Sequence, residues 1–231
     1  MALISMRVSM ADRTGMLATV ASALSEASAD IVTIDVVHHE DGLVVDNLCI
    51  EIGSTTPAAL QRRVEQIPGV KVEIVRSVGA PPTPVDALEL AASLVEHDDH
   101  RVEILVEGLP LALGVEWAMA LELHDDGVRL MWASPRAPAP PVGTVPWMPL
   151  HAPRRLAVAP WMPTSWRLKS LVAGGLEVAA SPLSSATTAV AVARSNGRFW
   201  PPELRQLEIL ARLAVRESPA PSPVSVSTVI G

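Results

Sequence analysis

The residues best placed to do chemistry in this sequence form one short run, Asp12-Arg13-Thr14-Gly15-Met16-Leu17. Gly15 lets backbone approach a ligand closely where a helix begins. A helix start presents unsatisfied N–H groups and a partial positive charge, which suits a carboxylate. Asp12 can accept hydrogen bonds from an ammonium group. Together these suit the two charged ends of a free amino acid. The same residues also have a purely structural reading, in which Asp12 caps the helix and Gly15 relieves a tight turn.

Other reactive side chains point to no chemistry. His38, His39 and Asp41 suggest metal ligation at first sight. Adjacent residues of a strand face opposite ways, so two neighbouring imidazoles cannot share an ion. His97-Asp98-Asp99-His100 reads as a solvated connection and His124-Asp125-Asp126-Gly127 as a hairpin turn. Cys49, the one cysteine, lies in the apolar run Val44 to Ile52 and reads as a buried strand residue. Ser134 and Ser165 have no base near them in sequence. Phosphate loops, nucleophile elbows and paired catalytic carboxylates are absent from the sequence. The expectation is no catalytic residue, no metal and no cofactor.

The balance of charge narrows the partners. A net charge of -7, without a basic stripe, argues against nucleic acid, whose phosphates demand clustered Lys and Arg. The most apolar long region, Val102 to Leu123, is interrupted by Glu103, Glu107, Glu116 and Glu122 and holds Gly108 and Pro110. A membrane span does not tolerate that pattern. The opening segment MALISMRVSM lacks the apolar stretch and cleavage site of a signal peptide. With a single thiol as well, the expected location is the cytoplasm.

The elements that must hold the turn follow from periodicity. Leu3 to Met10 reads as a strand, Gly15 to Ala27 as a helix and Ile31 to His39 as a strand. Asp41-Gly42 is a hairpin signal, followed by a strand over Leu43 to Ile52. Thr56-Pro57 opens a helix carrying Leu60, Val64 and Ile67, and Val70 to Arg76 is a further strand. The order βαββαβ predicts a ferredoxin-like sheet with both helices on one face. The proline-rich stretch 79–84 reads as a linker between a domain at 1–78 and another at 85–216. In the second, Val85, Leu88, Ala92 and Val95 recur at helical spacing. Arg101 to Leu113 predicts a helix bent or broken at Gly108-Leu109-Pro110. Val115 to Leu123 and Val128 to Ala133 form a hairpin, Arg155 to Ala159 a short strand, and Ser165 to Leu171 a helical turn or loop. Strands over Gly175 to Leu183 and Thr187 to Arg194 precede an amphipathic helix over Pro201 to Arg216. Residues 217–231, rich in Ser, Pro and Val, read as a disordered tail. Trp147, Trp161 and Trp166, in the proline-rich middle, pack in the core or line an apolar pocket or an interface.

The turn Asp12-Arg13-Thr14-Gly15-Met16-Leu17, with the helix after it and Ala29-Asp30-Ile31 beyond, resembles the ACT domain family over about residues 3–76. The resemblance implies a regulatory domain that pairs into a homodimer with a continuous eight-stranded sheet. It implies a small amino acid at the seam, held by Asp12, Arg13, Thr14, Gly15, Met16 and Leu17 of one chain. Ala29, Asp30, Ile31 and Val32 of the other chain complete the site. Asp30 departs from the Asn often found there; ionised, it accepts hydrogen bonds only and suits an ammonium rather than a carboxylate. The run Ala191-Val192-Ala193-Arg194-Ser195-Asn196-Gly197-Arg198-Phe199-Trp200-Pro201-Pro202-Glu203-Leu204 closes a segment, about 84–216, that resembles GAF-type sensor domains. The combined expectation is an α+β, non-catalytic sensor that passes ligand occupancy to a downstream protein. The alternative is an interaction or dimerisation module with no small ligand.

Overall fold

A computed structural model describes residues 2–78, 84–97, 99–157, 159, 161–164, 166, 176–195 and 197–215. Residues 79–83 of the linker expected at 79–84, the stretch 167–171 and the tail from 217 lie outside the described residues, and Pro84 opens a helix instead.

The first half follows the βαββαβ order: β1 Ala2–Ala11, α1 Met16–Ser25, β2 Ala29–Glu40, β3 Leu43–Ile52, α2 Pro57–Glu65 and β4 Val70–Ser77. The sheet order is β2-β3-β1-β4, all neighbours antiparallel. Strict alternation in β1 decides the two faces. Ile4, Met6, Val8 and Met10 are buried against Val20, Leu24, Leu60 and Val64 of the helices. Ser5, Arg7 and Ser9 therefore face the other way. The Asp41-Gly42 turn has positive φ at both residues, 56° and 72°, as a tight hairpin requires. Thr56 caps α2 by accepting from the Ala59 amide at 3.2 Å. Helix α1 stops at Ser25, short of Ala27, because Ser28 adopts a φ of 57° and turns the chain into β2.

The second half contains α3 Pro84–Glu96, α4 Arg101–Ala112, β5 Trp117–His124, β6 Gly127–Ala133, β7 Arg154–Leu156, β8 Leu176–Pro182, β9 Thr188–Ser195 and a final helix, α5, Pro201–Ala214. Its antiparallel sheet runs β6-β5-β9-β8-β7. One face packs Ala118, Ala120, Val190 and Val192 under the three helices. The other packs Trp117, Met119 and Leu121 under the proline-rich segment, through Trp147, Met148, Leu150 and Trp166. Trp117 and Trp166 are fully buried with ring centroids 4.9 Å apart, so the Trp-rich middle is core.

Two local expectations change. Helix α3 buries Leu90 and Leu94, whereas Val85, Leu88 and Val95 are more than half exposed. The helix has apolar residues on two faces, and the sheet takes the one with the leucines. Helix α4 runs unbroken through Gly108-Leu109-Pro110. Gly108 is there for closeness: a Cβ on it would lie 2.5 Å from Leu90 Cδ1 of α3. Among the described residues, no helix is long and apolar enough to cross a membrane.

Candidate functional site

The structure puts the Asp12–Leu17 turn at one end of the first sheet. Gly15 has a φ of 89°, left-handed, and no side chain caps the helix that follows. Asp12 is not the cap: its Oδ2 lies 3.0 Å from His39 Nε2, and its amide donates to the Gly42 carbonyl. Asp12, Arg13, Thr14 and Gly15 are exposed, Leu17 is 37 % exposed, and Met16 packs partly into the core.

Ala29, Asp30, Ile31 and Val32 stand at the opposite end. Ala29 pairs with Ile52, which pairs with Ala2, while the turn follows Ala11. Nine residues of strand separate the two groups, roughly 30 Å. One protomer therefore does not bring them together. Ala29 is buried and Ile31 packs partly against the core, whereas Asp30 is exposed and sits across from Glu51. Val32, Ile34 and Val36 are 52, 44 and 59 % exposed along β2, the edge strand.

A second constellation occupies the face of the first sheet away from its helices. Arg7, only 4 % exposed, donates to Glu203 Oε1 at 2.9 Å, to Asn47 Oδ1 at 2.8 Å and to the Arg198 carbonyl at 3.2 Å. Arg194 donates to the same carboxylate at 2.6 and 2.8 Å. The same Glu203 accepts from the Trp200 amide at 2.9 Å, which satisfies a backbone donor at the start of α5. Burial would raise the Glu203 carboxyl, but the hydrogen bonds and charges of Arg194 and Arg7 outweigh it and pull it down to about 2. Trp200 stacks on His38 with centroids 4.6 Å apart, and Arg198 lies over its ring at 4.6 Å. The two adjacent histidines thus have different partners, Trp200 for His38 and Asp12 for His39.

Sequence reasoning missed this junction. Arg7 was visible as a charge inside an apolar alternation, and Glu203 as an acid at a helix start. Their partnership spans 196 positions and leaves no local trace.

Beside the junction lies a cavity of about 340 Å³, walled by both halves. Its floor is the sheet, including Ser5, Asp35, Cys49 and Arg76, and its cover includes Gly114 and Gln206. Burial pushes the Cys49 thiol up, which leaves it a poor nucleophile.

Residues 4–69 match the family model described as the ACT domain. No curated protein matches the chain. Among solved structures, the ACT domain of a GTP pyrophosphokinase from Chlorobium tepidum is 24 % identical and covers 33 % of this chain and 97 % of its own, with a TM-score of 0.27. The GAF domain of A. aeolicus nlh2 is 11 % identical and covers 56 % of this chain and 93 % of its own, with a TM-score of 0.42.

Proposed function

We propose that the chain is a non-catalytic amino-acid sensor, in which two copies pair through β2 and bind a small amino acid at their seam. The observation that carries this reading is the edge of β2. Val32, Ile34 and Val36 are exposed apolar residues on an edge strand, a surface that invites another strand. Antiparallel pairing of β2 with itself about a twofold axis near its centre sets Ala29–Val32 of one copy beside His39 of the other. His39 is the residue that holds Asp12. The two halves of the expected site, some 30 Å apart in one chain, then meet across the seam. The match of residues 4–69 to a regulatory, ligand-sensing domain supports the same reading. In this reading residues 1–78 bind, 85–216 relay occupancy to a downstream protein in the cytoplasm, and 79–84 connect them.

The expected response is thermal. A ligand that binds only the folded state at about 100 times its Kd adds roughly 2.7 kcal/mol. Unfolding against the twenty amino acids should show a higher Tm with one or a few, and Asp12→Ala should abolish that shift. A response unchanged in Asp12→Ala would sink the assigned site. The seam has its own test. Ile34→Lys places a charge at the middle of the pairing strand, and light scattering should report a monomer where the native chain is a dimer. A native chain that is already monomeric would count against the seam.

A second reading has one specific observation in its favour. Val85, Leu88, Ala92 and Val95 form an exposed apolar stripe on α3 with coiled-coil spacing. If no amino acid changes the Tm, an interaction module using this stripe becomes the better account.

A further inference from the structure

We propose that the cavity between the two sheets is a second binding site, for a small zwitterion that sets its carboxylate on Arg76 and its ammonium on Asp35. This inference is independent of the seam.

The sheet register builds the polarity. Asp35, Asn47, Arg7 and Ile74 form one row across the open face, and Thr33, Cys49, Ser5 and Arg76 form the next. Asp35 stands on β2 and Arg76 on β4, the two outer strands of the order β2-β3-β1-β4. Their backbones are thus three strand spacings apart, about 14 Å. Both line the cavity. Between them the floor carries Ser5, Asn47, Cys49 and Arg7, whose guanidinium is held by Glu203.

Neither charge has a counter-charge within ion-pair distance among the described residues. Arg76 donates Nη1 to the Gly114 carbonyl at 3.0 Å, which leaves further guanidinium N–H groups for a ligand. The other two arginines on the wall differ, since Arg7 and Arg194 are both engaged by Glu203. They keep the Arg76 end of the cavity positive. Glu116 and Glu73 act on these arginines from outside the lining; Glu116 accepts from the Ser195 amide and Glu73 from the Trp200 indole. Asp35 at the far end disfavours a dianion. A molecule with one acid and one amine satisfies both ends, and 340 Å³ is at the small end of the range for small-molecule sites.

Because Gly114 and Gln206 come from the second half, such a ligand touches both halves at once. Its binding must then favour the docked arrangement over any opened one.

The test is calorimetric titration of the whole chain with glycine, 4-aminobutyrate and 6-aminohexanoate, using acetate and ethylamine as single-charge controls. At least one amino acid of the series should bind, with the controls weaker by about tenfold or more. Arg76→Gln and Asp35→Asn should each lower that affinity about tenfold or more. Arg76→Lys, which keeps the charge, should retain part of it and so separate a lost contact from a lost fold. Asp12→Ala disables the seam site alone, so the binding that Arg76→Gln and Asp35→Asn weaken should still be measurable in it. The proposal is overturned if no member binds, if both cavity variants bind like the native chain, or if Asp12→Ala removes the binding, which would assign it to the turn.

Discussion

Replacing Glu203 with glutamine should destabilise the chain by about 3–5 kcal/mol, the usual loss when one partner of a buried ion pair is removed. Two guanidiniums depend on this one carboxylate, and both Arg7 and Arg194 are about 95 % buried. The amide keeps one acceptor oxygen but replaces the other with an NH2 group that faces donors, and it neutralises neither guanidinium. The substitution also weakens the cap on α5, because the same oxygen receives the Trp200 amide. Denaturant unfolding of native and variant chains gives the difference directly. A loss below about 1 kcal/mol would mean that the junction behaves like a surface pair.

The same carboxylate predicts an acid limb of stability. Its pKa falls from the ordinary 4.5 to about 2 in the folded chain, held there by Arg194 and Arg7. A depressed carboxyl contributes stability that is fully present above its unfolded value and is lost as pH falls through the folded one. The loss should therefore develop between about pH 4.5 and 2, and amount to about 3 kcal/mol from a shift of that size. Glu203→Gln should flatten this part of the pH profile. An unchanged acid limb in the variant would move its origin to other carboxylates.

Gly197→Ala should be the second large effect, at about 2–4 kcal/mol. Gly197 has a φ of 117°, where an L side chain is strained by about 1–3 kcal/mol. An added Cβ would also lie 2.0 Å from Ile74 Cδ1 and 2.5 Å from Cγ1. Ile74 is on the first sheet and Gly197 follows β9 of the second, so the contact is where the two halves close on each other. The Gly197 carbonyl further accepts from Arg194 Nε at 3.0 Å, which ties its conformation to the ion pair. Combining Gly197→Ala with Ile74→Ala separates the two causes. The double variant relieves the clash but not the backbone strain, so thermal unfolding should show partial recovery against Ile74→Ala alone. Full recovery would mean that φ carries no cost.

These effects concentrate at a surface that leaves little imprint on local sequence. The first sheet was legible because its determinants are local. Alternation in Ile4–Met10, the Asp41-Gly42 turn and the Thr56-Pro57 helix start each act within a few residues. The turn at Asp12–Leu17 was legible for the same reason, since a glycine before an apolar helix has few other uses. The side of α3 that is buried was not legible. Val85, Leu88, Ala92 and Val95 satisfy helical spacing as well as Leu90 and Leu94 do, and only the neighbouring sheet and α4 choose between them. Gly108-Leu109-Pro110 misled in the opposite direction, because packing against Leu90 uses a glycine that local propensity reads as a breaker.

The sequence by itself determined the order of elements in the first half, the alternation of β1 and the position of the exposed turn, because periodicity and turn chemistry operate over short stretches of chain. Tertiary structure alone decided that Arg7, Arg194 and Glu203 share a carboxylate, that His38 stacks on Trp200, and that Asp35 and Arg76 border one cavity. Those are contacts between residues far apart in the chain. Their energy comes from mutual desolvation and charge pairing, which no residue carries alone.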